Sequence, residues 1–204
     1  MKNKVLKEFL DAVKSKIPNY KKRMRGGCTE EDLIELEGII KRKLPQTYRD
    51  LLLTFNGEQQ EMVLLMGGFS LLSFKRVLRE YEFVKTNTHS EKADVFQPNL
   101  IQPYHYQRDR ISFADDGSGN FISIDYEPNI EGKEGQIIYF PLGEPEPLSV
   151  LFNDFDEYLQ FITKAIIDGK VKVEESDDDG KKTYHFVKTW KDNWADIAEQ
   201  FIQK

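Results

Sequence analysis

Apolar residues recur at helical spacing from the start of the chain. Val5, Leu6, Phe9, Leu10 and Val13 predict an amphipathic helix from about Lys4 to Lys16, and Pro18 blocks its continuation. In "TEEDLIELEGIIKRKLP" a second stripe follows, made by Leu33, Leu36, Ile40 and Leu44. Thr29 is placed to cap that helix, Asp32 three residues on completes a capping box, and the acidic first turn suits the helix dipole. Pro45 ends it and can open the next helix, whose Tyr48, Leu51, Leu52 and Phe55 turn inward. Asn56-Gly57 is expected to stop this third helix, because glycine accepts the left-handed conformation of a C-terminal cap. "MVLLMGGFSLLSF" predicts a short strand, a glycine turn and another short apolar element. A helix beginning near Ser73 then carries Phe74, Val77, Leu78 and Tyr81 on one face.

Residues 87–110 show no period and contain two prolines, which predicts a long loop of the kind that is often functional or mobile. The pattern then shortens. "RISFA", "FISIDY" and "GQIIYF" are β-branched and aromatic runs separated by turn residues, an antiparallel meander. After the proline-rich loop "PLGEPEPLS", "NDFDEYLQFITKAI" predicts a helix capped by Asn153, with Phe155, Tyr158, Leu159, Ile162 and Ile166 inside. Beyond Gly169, "KVKVEESDDDGKKTYHF" has the form of a hairpin turning at Asp179-Gly180. A final helix puts Trp190, Trp194, Ile197 and Phe201 on one stripe, which is expected to pack onto the body. The expected fold is α+β: an antiparallel β-meander sheet packed against several amphipathic helices. It forms one domain over 1–168, with a hairpin-plus-helix extension at 169–204 that is either dispensable or specificity-setting.

Charge narrows the partners. The 204-residue chain carries a net charge of −6, which disfavours nucleic acid and anionic membranes and fits a protein partner with a basic surface better. In that setting the basic run "NYKKRMRGG" reads as a solvated connector. A single cysteine, Cys28, excludes an intrachain disulfide and a thiolate zinc site, and suits a reducing cytosol. The first residues lack the unbroken apolar core of a signal peptide, and the longest apolar stretch is too short to cross a bilayer. A cytoplasmic protein without membrane insertion is expected.

The stretch most suggestive of chemistry is "ISFADDGSGNFISID", with Asp115, Asp116 and Asp125. Its spacing does not match a calcium loop, and a hairpin turn explains it better: Gly117 and Gly119 supply freedom, while aspartate and asparagine bond local backbone. His89, His105 and His185 show no metal-ligand pairing, and no nucleophile elbow, Walker loop or dinucleotide fingerprint occurs. Cys28 has no base nearby in sequence. No catalytic residue, metal or cofactor is expected. A metal-assisted hydrolase using the three aspartates is the least supported alternative.

Four elements in order carry a family resemblance: the acidic capped helix, "LPQTYR", "NG" and the aspartate-glycine hairpin. In this combination the chain resembles the SUKH superfamily, and within it the Smi/Knr branch named for fungal regulators of cell-wall assembly. The similarity runs from roughly Thr29 to Ile167. Leu44, Pro45, Tyr48, Arg49, Asn56, Gly57, Asp115, Asp116, Gly117, Gly119, Asn120, Asp125, Pro128, Gly135 and Gln136 fall on matching positions. Members often carry tryptophans just before the hairpin, where this chain has Tyr104 and Tyr106. The resemblance implies a non-enzymatic protein-binding module, either an immunity protein that neutralises a toxin or a regulatory scaffold for cell-wall, envelope or signalling proteins. Against a basic toxin domain the expected contacts are Glu58, Glu61, Asp115, Asp116 and Glu127, with Tyr104 and Tyr106 as aromatic anchors. The sequence leaves the oligomeric state open.

Overall fold

The computed structural model describes residues 3–59, 63–88, 91–142, 146–178, 181–189 and 194–199. Its centre is a five-stranded antiparallel sheet in the spatial order β3 (Ser70–Leu71), β4 (Arg110–Asp115), β5 (Phe121–Asp125), β6 (Gln136–Phe140) and β7 (Ser149–Phe152). Two small ribbons accompany it: β1 (Met24–Gly26) with β2 (Phe55–Glu58), and β8 (Val171–Asp178) with β9 (Lys181–Lys188). The helices are α1 (Lys4–Lys16), α2 (Glu30–Ile40), α3 (Gln46–Thr54), α4 (Phe74–Thr86), α5 (Phe155–Ile167) and α6 (Trp194–Ala198). An α+β architecture with a β-meander is therefore observed.

Alternation along the strands divides the core in two. Ile111, Phe113, Ile122, Ile124, Ile137 and Tyr139 join the stripes of α1, α3 and α5 in the main core. Ile138, Phe140 and Val150 point the other way, into a second cluster with Ile101 and Leu148. That second face is covered by the segment 91–109, which is a loop tied down by buried polar groups. Arg110 is fully buried and donates to the carbonyl oxygens of Tyr104 and of Gln102, the latter at 2.9 Å. Its Nε lies 3.7 Å from Asp125, whose pKa is pushed up by burial and pulled back by that guanidinium. Gln136 donates from Nε2 to the Leu100 carbonyl at 2.9 Å and to Asp125 at 3.0 Å. Gln97 closes the far edge of the sheet. Its Oε1 accepts from the Val150 N–H at 2.8 Å, and its Nε2 donates to the Val150 carbonyl at 3.1 Å.

The capping box at Thr29 and Asp32 forms as the sequence suggests. Several local expectations are corrected. Asn56-Gly57 does not stop a helix: α3 ends at Thr54, and both residues belong to β2. Gly57 has φ of +78°, and a Cβ there would meet the Ser73 backbone nitrogen at 2.5 Å, so the glycine serves a close approach between segments. Asn56 Oδ1 accepts from the Phe74 N–H at 2.7 Å and so caps α4. The first short strand of "MVLLMGGFSLLSF" is absent among the described residues, where 65–67 form a turn. Strand β7 emerges at the end of the proline-rich loop, where no strand was expected. The cap of α5 is Asp154, which accepts from the Glu157 N–H, whereas Asn153 donates its side chain to Glu157.

The described part of the carboxy-terminal segment contributes to the core. Val171, Phe186, Trp194 and Ala198 belong to the main cluster, and the Trp194 ring lies 6.0 Å from Phe69 and 6.5 Å from Tyr158. The predicted hairpin turn Asp179-Gly180, Trp190 and Phe201 lie outside the described residues.

Candidate functional site

The three aspartates do not form one site. Asp116 builds the hairpin turn: Oδ1 accepts from the Ser118 N–H at 2.8 Å and the Asn120 N–H at 3.1 Å, while Oδ2 accepts from Asn120 Nδ2 at 2.7 Å. Asp115 is buried at the end of β4 and pairs with Arg76 Nη2 at 2.8 Å. Burial raises its pKa, and Arg76 opposes the shift. Asp125 faces Arg110 at the other end of β4, five rungs away and about 17 Å distant at the usual rise of a strand. Among the described residues, no group of three or more His, Cys, Asp or Glu is placed to hold a metal ion.

Glu58 is a second correction. It was expected as an exposed contact, yet it is buried, with 8% exposure. Its carboxylate accepts from four backbone amides: Oε2 from Val63 at 2.5 Å and Leu64 at 2.8 Å, Oε1 from Leu65 at 2.7 Å and Leu71 at 3.0 Å. Burial lifts its pKa, and the amides pull it back. The side chain folds the glycine turn 63–71 back onto β2 and occupies the outward amide of β3. Glu58 and Asp115 nonetheless share a surface feature, because both line a groove of about 450 Å³ together with Arg25, Gln59, Ser73 and Arg76.

The anchors stand elsewhere. Tyr106 is half-buried and meets Phe83 edge-on at 5.4 Å and Phe140 at 6.3 Å; Phe121 continues the row at 6.0 Å from Phe140. Phe83 is 50% exposed. Sequence reasoning missed it, although the signal existed: it is a large apolar residue off the stripe of its helix. Seven residues before it, Arg76 shares the same face of α4, about 10 Å away along the helix axis. The outer face of α4 therefore runs from the charged groove to the aromatic row. Tyr104 is half-buried in the loop 91–109, bridged to Lys92. Glu127 is exposed at the end of β5 opposite the hairpin turn, remote from Asp116. Glu61 and His89 lie outside the described residues.

A second groove, of about 420 Å³, separates the glycine turn at Gly67 and Gly68 from Asp116, Lys188 and Trp194. No helix among the described residues is long and apolar enough to cross a membrane. Cys28 is buried, and burial pushes its thiol up to about 11, which removes the thiolate that nucleophilic chemistry requires.

Comparison with known proteins adds the following. The SMI1 / KNR4 family (SUKH-1) matches over residues 27–160. KNR4/SMI1 homolog 2 of Debaryomyces hansenii is 35% identical over 83 residues, which cover 41% of this chain and 14% of that protein. The cell wall biosynthesis/cell cycle regulator smi1 of Schizosaccharomyces pombe is 23% identical over 175 residues, 78% of this chain and 34% of the relative. The chain thus spans about a third or less of the length of these relatives.

Proposed function

Since the chain belongs to the SMI1 / KNR4 family (SUKH-1), we propose that it is a non-enzymatic protein-binding module whose contact face is the outer side of α4 with the aromatic row beside it. The observation that carries this reading is Phe83, half exposed and packed edge-on against Tyr106, which is itself anchored on Phe140. A rigid aromatic pair at a surface loses little entropy on binding and suits the centre of an interface.

The biological role we favour is immunity: the module binds a toxin domain and blocks its active surface. The acidic balance of the chain supports a partner with a basic face, and among the described residues Glu127 is exposed and Asp116 half-exposed, so both can meet it. A second reading, regulation of cell-wall assembly, is supported by the likeness to the cell wall biosynthesis/cell cycle regulator of Schizosaccharomyces pombe. Co-expression of the full chain with the product of an adjacent toxin-like gene discriminates between them. Immunity requires rescue of growth and a complex that co-purifies, both lost in Phe83→Ala and Tyr106→Ala without a fall in melting temperature. Growth arrest with no complex, for a toxin made by the same locus, refutes it.

A further inference from the structure

The groove beside β3 holds a charge that the aromatic face does not explain. Arg76 is 2.8 Å from Asp115 and 3.3 Å from Glu80, and Glu80 is also 3.0 Å from Arg79. Two guanidinium groups and two carboxylates balance there. The charge of Glu58, when ionised, is spread over four amide dipoles. Arg25 has no such balance. Its Nε donates to the Glu58 carbonyl oxygen at 3.1 Å, which fixes the guanidinium on the groove wall, and among the described residues no carboxylate lies in ion-pair range of it. The Ser73 side chain on the same wall makes no capping bond to α4.

We propose that this groove receives one carboxylate side chain from a partner protein, gripped by Arg25 beside Ser73. The planar fork of arginine matches a carboxylate with two parallel bonds, and a cavity near 450 Å³ falls in the range of specific pockets. One unbalanced cation matches a monoanion, whereas a phosphate dianion placed there keeps a second charge that no free cation among the described residues of the groove offsets. The basic run of the sequence is thus more than a connector at this one position. The inference rests on the protein-binding reading but not on the aromatic row.

The test titrates isotope-labelled full chain with the blocked tripeptides Ac-Gly-Glu-Gly-NH2 and Ac-Gly-Gln-Gly-NH2 and with inorganic phosphate, following the Arg25 Nε–H and the amides around Ser73. Saturable shifts are expected with the glutamate peptide, about tenfold weaker binding with the glutamine peptide, and abolition in Arg25→Gln. Lys21→Gln, which alters the same basic run outside the groove, should leave the response unchanged, as should Phe83→Ala. Equal response to both peptides, or persistence in Arg25→Gln, overturns the site. Saturation by phosphate without response to the glutamate peptide overturns the assignment to a protein carboxylate. If Phe83→Ala abolishes partner capture while Arg25→Gln binds both peptide and partner as wild type does, the aromatic face stands and the groove falls.

Discussion

Replacing Glu58 by alanine removes the acceptor of four backbone amides at once, those of Val63, Leu64, Leu65 and Leu71. A buried donor left without its partner costs about 1–3 kcal/mol. Because Glu58 lines a groove that admits water, the low end applies to each amide, giving about 4 kcal/mol in total. For a domain of this length, that lowers the melting temperature by roughly 8–16 °C. Urea unfolding followed by the fluorescence of the buried Trp194 measures it, with the exposed Glu127→Ala as a comparator expected near zero. The pH dependence has a defined sign. Burial holds the Glu58 pKa above the ordinary glutamate value, so the stability tied to its protonation is full below that value and is lost as pH rises through the raised one. The gap between wild type and Glu58→Ala should therefore narrow as pH rises. A loss no larger than that of Glu127→Ala would refute the claim that this carboxylate holds the glycine turn.

Asp116→Ala should cost about 1–2 kcal/mol by releasing the turn amides and should slow association with a basic partner; melts and binding kinetics on the same sample check both. Trp194→Ala should cost about 3–5 kcal/mol in urea unfolding, and a chain ending near Lys170, lacking Phe186 as well, should fail to give a cooperative melt. In alkali, stability should be full below about pH 9 and fall as pH rises toward the Cys28 value of about 11, with the buried phenols of Tyr20 and Tyr126 acting in the same direction. Native protein at pH 8 should resist iodoacetamide at Cys28, and rapid alkylation there refutes that burial.

Much of this fold was legible because periodicity is a local property. The stripe of α1, the capping box of α2 and the three meander strands each depend on residues within a few positions of one another. What was not legible depends on distant pairing. Glutamate is seldom buried, so Glu58 reads as surface until four amides from 63–71 are seen to surround it. Gly57 carries a turn signal, yet the constraint it meets is the Ser73 backbone sixteen residues on. Strand β7, four residues long at the end of a proline-rich loop, is too short to display a period. At the candidate face Tyr106 was singled out in the sequence and Phe83 was not, because the residues facing the core define a helix stripe more clearly than those that leave it.

On both outer rims of the central sheet a side chain stands in for a neighbouring strand, and beside β7 the backbone of Asp94 and Phe96 also bonds Leu148. On β3 the carboxylate of Glu58 takes the Leu71 amide, and on β7 the carboxamide of Gln97 satisfies both polar groups of Val150 as a neighbouring strand would. A foreign strand arriving at either rim finds those valences already spent. Recognition at these rims must therefore proceed through side chains, so affinity can be retuned by surface substitutions without disturbing the backbone ladder. The same arrangement makes Gln97→Ala a sentinel: once that plug is gone, concentration-dependent self-association in sedimentation velocity should precede any loss of fold.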